Sequence, residues 1–488
     1  MIRKLAIAAL AAVVLTSCAS NPATGGRNVV FTSIKGEQEQ ARRYYQQIIQ
    51  FYGLYEDQAV QDYVQSVGAK VAKNSDLPDW DFKFVVLDDE SVNAFTTGGG
   101  YVYVHRGLLT YLTTEAELAS VLGHELGHVT ARHPARRQTR GVLASVLATG
   151  AAIATGNSAV AQMANIGATA WLQGYGRENE MEADRLGLQY ATKTGYRPEA
   201  MGEVFKVFKA QETFELNRAR AEGREPMIYH GVFSSHPAPD ARSVQAAKGA
   251  ANIKEQPEGG WIDNRDPFLK AINGLPYGSS RAQGIVRDNR FYHADMGITL
   301  AFPRGWTIEN QRDRIMAFTK TKDSVMQVTI ASRDEKKSPR EFLMTQLKGA
   351  SFTKGEELKV GDMEGYALIT RTGSPLDGGS GPVRWAVLFR GKSAYIFGAA
   401  SRSAGAGLPA DDGLFMSSIQ TLRSLKPSEF PLAQPYRIKI IQATDKTRFE
   451  DYAKQVPLEK YQKEELQLIN GLYPNGEPKP GAMIKVVE

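Results

Sequence analysis

The chain has a single cysteine, Cys18, in 488 residues. An internal disulfide is therefore excluded, and the fold must rest on buried apolar surface. Long apolar runs are also scarce. Leu5–Leu15 is apolar but only eleven residues long, well short of the ~20 that a helix needs to cross a bilayer. The stretch from Val142 to Leu172 is apolar and small, but Gly156, Asn157 and Ser158 interrupt it. Neither half reaches spanning length, which leaves a core helix pair or a mobile lid. Charge of one sign is weak as well: 59 Lys and Arg against 53 Asp and Glu give a net +6. No basic run is interleaved with aromatics, so nucleic acid is excluded as a partner. Histidine is sparse, with seven in the chain, so two of them four residues apart are informative. What is present is ordinary for a globular protein, 42% apolar and 23% charged. The length calls for two or three domains.

The first residues carry a targeting pattern. Arg3 and Lys4 precede the apolar Leu5–Leu15, and Leu15-Thr16-Ser17-Cys18 follows. This resembles a bacterial lipobox, which implies cleavage after residue 17 and lipid on Cys18. Ala19 and Ser20 come next rather than Asp. By the sorting rules of such lipoproteins, that implies an anchor in the bacterial outer membrane, facing the periplasm.

Residues 18–35 have the composition of a tether. Helical periodicity runs over Glu37–Phe51 and Ala59–Val71, and alternation predicts strands at Asp81–Leu87 and Tyr101–Val104. A further helix follows, with Thr114 and Glu117 at capping-box spacing and Pro134 as its stop. Helices are expected at Glu178–Thr194 and from about Pro198 to Arg220. The expected organisation is multidomain. A mainly α-helical α+β domain with a small edge-strand sheet covers residues 36–250. A Gly-, Pro- and Asn-rich linker covers 251–288, an α+β domain 289–427, and a small α/β module 432–488.

The chemistry sits on the helix after Thr114. In His124-Glu125-Leu126-Gly127-His128 the two histidines share one helix face, so both imidazoles can meet one ion. Zinc takes nitrogen ligands at about 2.0–2.1 Å in a tetrahedral set. It lowers the pKa of a water, and Glu125 is placed to accept that proton as general base. Val121, Leu122, Leu126 and Val129 make the other faces apolar, as a buried catalytic helix requires. A third ligand must come from elsewhere, and Asn179-Glu180-Met181-Glu182-Ala183-Asp184 supplies the candidates. Glu180 and Asp184 lie four apart on one face, and a bound cation would offset their repulsion. Of the other histidines, His105 ends a strand, His230 and His293 fit surface or loop positions, and His133, five from His128, is expected to face elsewhere.

His124-to-His128, the acidic Glu178-to-Arg185 segment and Ser235-His236-Pro237 occur in that order. Together they resemble the zinc peptidases that include HtpX, the CAAX prenyl endopeptidases and BepA-type periplasmic proteases. The likeness covers roughly residues 35–250. It implies one zinc ion held by His124, His128 and Glu180, with Asp184 orienting a ligand histidine and Glu182 outside the ligand set. It implies that His236 can close the fourth position as a latch. Arg242, six residues on, is expected to stabilise the oxyanion. Asn93, Phe95, Tyr101 and Tyr103 resemble the family's edge-strand region, where substrate backbone adds as a further strand.

The function expected is a zinc endopeptidase acting on unfolded or misassembled envelope proteins. The alternative is a latched assembly factor with little proteolysis. Residues 289–427 carry no catalytic constellation. The strand-helix-helix-strand order from Tyr436 to Val486 resembles a degenerate LysM module, with Thr444 where the family has Gly before Asp445. That implies peptidoglycan as a further partner, with a docking or dimerisation module as the alternative.

Overall fold

The computed structural model describes residues 18–20, 22–23, 25, 27–141, 175–226, 239–376, 381–405, 407–458 and 460–488. The expected helix pair or lid within 142–172, and His230 and His236, lie outside the described residues. Two units divide the chain: residues 1–277 with 437–488, and residues 278–436.

The first unit begins, after a short antiparallel pairing of Cys18–Ser20 with Arg27–Val29, with helix α1 (Ile34–Tyr52). Ser33 starts α1 by accepting the Gly36 N–H at 3.1 Å. Helix α2 (Gln58–Ala72) buries Val60, Val64, Val67 and Val71, one stripe at helical spacing. Three strands follow: β1 (Lys83–Leu87), β2 (Ala94–Gly98) and β3 (Tyr101–His105). Their order is β1-β3-β2, with β1 parallel and β2 antiparallel to β3. The outer edge of β1 is covered by glutamines of α2. Gln61 accepts from Val86 N at 2.9 Å and donates to Val86 O at 2.8 Å. Gln65 accepts from Phe84 N at 2.9 Å. An edge so covered is closed to a further strand, which leaves β2 as the other margin of the sheet.

His105 closes β3 and is buried. Its Nδ1 lies 2.6 Å from Ser91 Oγ and 3.0 Å from Asp89 Oδ1. Burial pushes the Asp89 carboxyl up, but the bonds and charge from His105 and the bonds from Ser91 outweigh it and hold it at about 2. A carboxyl depressed on folding adds stability above its ordinary pKa and loses it as pH falls toward the folded value. Asp89→Asn should therefore cost about 2 kcal/mol near pH 7, with the difference from wild type shrinking between pH 4 and pH 2. Denaturant unfolding at a series of pH values measures this. A pH-independent difference would mean that shape, not charge, holds this corner.

Helix α3 (Glu115–Thr130) is buried along its whole length. Thr114 accepts the Glu117 N–H at 3.1 Å, as the spacing predicts. The Glu117 carboxylate turns to Thr113, accepting from its N–H and hydroxyl. Helices α4 (Arg177–Lys193), α5 (Ala200–Glu222) and α6 (Pro239–Asn252) complete the surroundings of α3. The expected linker at 251–288 is partly a folded element. Arg265–Ala271 is a helix with Phe268 and Leu269 fully buried, and Asn264 donates to Glu115 at 3.0 Å. Seven residues with one apolar pair make too short a pattern to stand out among Gly and Pro.

Residues 437–488, expected as part of a small module after a hinge, pack with residues 1–277. Strand Tyr436–Gln442 pairs with Met483–Val487 and lies beside Pro276–Tyr277 in a three-stranded sheet. Helices Phe449–Ala453 and Gln462–Ile469 lie between them in sequence, so the strand-helix-helix-strand order is present. Lys485 is fully buried and donates to Thr110 O at 2.7 Å and Leu112 O at 2.6 Å, just before α3 begins. Burial pushes its ammonium pKa well down, with Glu117 opposing.

The second unit is α+β, as its alternating short strands predict. Seven antiparallel strands follow the order 307–310, 315–318, 324–332, 393–401, 383–390, 363–370 and 352–360. A four-stranded sheet accompanies them, with helices Pro339–Gln346 and Asp412–Ile419. Apolar residues alternate along the central strands into two clusters, one holding Ala386, Leu388 and Phe397, the other Trp385, Val387 and Ile396. His293, expected at a surface or in a loop, ends strand Arg290–His293 and is buried.

Candidate metal centre

Helices α3 and α4 touch backbone to backbone. A Cβ on Gly187 would stand 2.6 Å from His124 N, one on Gly127 2.8 Å from Ala183 O, and one on Gly123 2.9 Å from Gly187 O. Real side chains do not fit at such distances, so glycine sets the separation of the two helices. Gly187→Ala should drive them apart, costing about 1–3 kcal/mol and lowering divalent-metal affinity. Thermal unfolding and metal titration of this variant check both. Unchanged affinity would mean that the ligands follow the helices without needing this contact.

At this separation His124, His128 and Glu180 converge, all buried. His124 Nε2 lies 3.0 Å from His128 Nε2 and 3.6 Å from Glu180 Oε2, and His128 Nε2 lies 3.4 Å from Glu180 Oε1. Ligand atoms around a tetrahedral zinc are about 3.3 Å apart. The two imidazole nitrogens and the Glu180 carboxylate, which turns one oxygen toward each ring, therefore suit that ion. Metal chemistry also explains why the atoms face one another. His124 Nδ1 is 2.8 Å from Asp184 Oδ1. With its proton there, Nε2 presents a lone pair toward the second imidazole and a carboxylate.

Arg242, on α6, backs the acids. It donates through Nε to Asp184 Oδ2 and through Nη2 to Asp184 Oδ1, each at 2.7 Å. Its Nη1 is 2.7 Å from Glu180 Oε2. Burial pushes the Asp184 carboxyl up, but bonds and charge from Arg242 and His124 overcome this and hold it at about 2. Burial pushes the Arg242 guanidinium down, and Asp184, Glu180 and Glu125 more than restore it. The guanidinium faces the carboxylates, next to the ligand set.

Glu125 is 1% exposed and borders an apolar recess with Ala94, Leu108, Val121, Val204, Phe205 and Phe208. Strand alternation explains which part of β2 faces this recess. Ala94 lines it, whereas Phe95, Tyr101 and Tyr103 pack with Ile48, Val85 and Leu87 on the α1 side. Tyr103 is fully buried. Asn93 accepts the His105 N–H through its backbone oxygen at 2.9 Å.

His133 departs from its expected position. Its Nδ1 lies 2.7 Å from His128 Nδ1, its Nε2 lies 3.0 Å from Glu182 Oε2, and the ring is fully buried. The helix ends at Thr130, and Arg132 takes a left-handed φ of 56°, which turns the next side chain back toward α3. Buried ion pairing holds Arg132 there. It donates to Glu37 Oε1 through Nε at 2.9 Å, and again through Nη2, which also reaches Thr32 O at 2.8 Å. Five-residue spacing points away only while the helix continues. Tyr175 is a second residue that spacing gave no reason to single out. Its ring stacks on His128 at 3.9 Å between centroids, and burial, with Glu125 adding, pushes its phenol pKa up.

Residues 58–250 match the sequence profile of Peptidase family M48. The chain is similar to the beta-barrel assembly-enhancing protease of Escherichia coli O157:H7, 30% identical over 231 residues, covering 46% of this chain and 45% of that one. It is similar to the Yersinia pestis protein of the same name, 32% identical over 214 residues and 42% of each chain. It is also similar to the mitochondrial metalloendopeptidase OMA1 of Arabidopsis thaliana, 30% identical over 157 residues, 31% of this chain and 32% of that one. The chain spans less than half the length of these relatives.

Proposed function

We propose, from the premise that residues 58–250 belong to peptidase family M48, that this chain is a zinc-dependent endopeptidase of envelope proteins. One observation carries the reading: His124, His128 and Glu180 converge at metal-ligand spacing, with Glu125 of the same helix beside an apolar recess. When bound there, zinc supplies Lewis acidity, lowering the pKa of water and polarising the scissile carbonyl. Glu125 takes the proton at a carboxylate oxygen and returns it to the leaving amine. Asp184 fixes the His124 ring by accepting from Nδ1. Substrate backbone runs along β2, and the recess receives an apolar side chain next to the scissile bond. An extended backbone with an apolar side chain is what an unfolded chain offers and a folded one hides.

The likeness to beta-barrel assembly-enhancing proteases supports substrates among outer-membrane proteins in assembly. The lipobox-like residues ending at Cys18 support a lipid anchor at the outer membrane. The strand-helix-helix-strand order of 436–487 supports glycan contact at the cell wall.

The test is cleavage of an unfolded protein such as casein by residues 19–488. Chelation should abolish cleavage, and stoichiometric zinc should restore it. Cleavage that persists after complete metal removal would sink the proposal.

A further inference from the structure

The two candidate zinc ligands of α3 are supported differently. His124 gives its Nδ1 to a carboxylate, Asp184, at 2.8 Å. His128 gives its Nδ1 to another imidazole, His133, at 2.7 Å, and His133 Nε2 reaches Glu182 Oε2 at 3.0 Å. Arg136 Nη1 approaches the same Glu182 oxygen at 3.3 Å.

Proton placement along this chain has one arrangement compatible with metal binding. For His128 Nε2 to bind a cation, its proton must sit on Nδ1. His128 Nδ1 then donates, so His133 Nδ1 must accept. A neutral His133 that accepts at Nδ1 carries its proton on Nε2, where the Glu182 carboxylate accepts it. Each link fixes the next. Glu182 is an acceptor on a partly exposed side chain, and its effect is carried to a ligand atom that solvent does not reach.

We infer that His133 and Glu182 are positioning residues that lock His128 in the tautomer and orientation needed to bind the metal. They act through His128 and take no part in the ligand set. The inference rests on the metallopeptidase reading of the site, and extends it to residues that neither bind the ion nor touch substrate. Partners that orient a metal-ligating histidine change metal affinity by about 10–100-fold when removed.

The experiment compares His133→Phe, His133→Asn and Glu182→Leu with wild type in residues 19–488. The first readout is zinc affinity, by competition with a chromophoric chelator. The second is the tautomer of His128 in the metal-free protein, by nitrogen-15 NMR of labelled histidine. His133→Phe keeps a ring but removes the acceptor, and should weaken zinc binding about 10–100-fold while His128 loses its single Nδ1–H tautomer. Asn places an acceptor oxygen near the Nδ1 position, so His133→Asn should recover most of the affinity. Glu182→Leu, on a partly exposed side chain, should weaken binding in the same direction and keeps the test available if His133→Phe does not fold.

Folded variants with wild-type zinc affinity and an unchanged His128 tautomer would overturn the inference and leave the peptidase reading standing. Equal losses in His133→Phe and His133→Asn, with the tautomer unmoved, would also overturn it, since ring packing alone would then be responsible. Absence of zinc binding by wild type would overturn the peptidase reading, and the inference with it.

Discussion

Glu125→Gln is expected to lower kcat on casein by about 10²–10⁴-fold while zinc content stays at the wild-type level. The two halves of this result follow from separate features. Glu125 is on α3 between the two histidines in sequence, but the converging ligand atoms belong to His124, His128 and Glu180. An amide in place of the carboxylate leaves that set intact. Glutamine has nearly the same shape, so the recess bordered by Ala94, Val121 and Phe205 keeps its form. What is lost is the capacity to hold a proton between attack and departure of the amine. KM should therefore change little compared with kcat. Single-turnover cleavage, with zinc measured on the same sample, checks both parts. Retained turnover would assign the base to another group, and zinc loss would make Glu125 part of the ligand framework.

The centre was partly legible in sequence because much of its geometry is local. Residues four apart on one helix meet whatever the rest of the chain does, so His124 with His128, and Glu180 with Asp184, are read directly. The helices themselves were legible for the same reason, their apolar stripes repeating over three or more turns, as in Val60, Val64, Val67 and Val71. His133 was missed because its position depends on a change of backbone conformation at Arg132, and that change depends on Glu37, nearly a hundred residues earlier. Periodicity contains no information about where a helix stops being a helix through a distant ion pair. The bare helix contact was also hidden. Gly123, Gly127 and Gly187 look like weak helix residues until the approach of the second backbone is known. Likewise Lys485 gives no hint in sequence that it enters the interior to bond Thr110 and Leu112. A lysine is ordinarily a surface residue, and only carbonyls left at the end of the short helix Arg106–Tyr111 make its burial sensible.

Arg242→Ala is expected to destabilise the metal-free protein by about 3–5 kcal/mol, the cost of breaking a buried ion pair from one side. The sequence suggested a donor to the oxyanion; the guanidinium borders the recess with His124 and Glu125, and it also binds two buried acids. Three of its nitrogens each lie 2.7 Å from an oxygen of Asp184 or Glu180. Both acids are almost wholly buried. Without Arg242 two carboxylates share a low-dielectric interior with no cation, and their desolvation is uncompensated. Zinc offers a replacement charge to Glu180, so the deficit should shrink as zinc is added, by RT ln(1 + [Zn]/Kd) for binding to the folded state alone. It should not vanish, because the bonds to Asp184 come from Arg242 and no ion takes them over. The two roles then separate cleanly in one variant. If Arg242 serves the carboxylates, urea unfolding shows the loss in chelated protein, and zinc-saturated folded variant turns over casein near the wild-type kcat. If instead Arg242 meets the oxyanion, kcat stays low at saturating zinc, by the 10²–10³-fold typical of a lost donor, even where folding is restored.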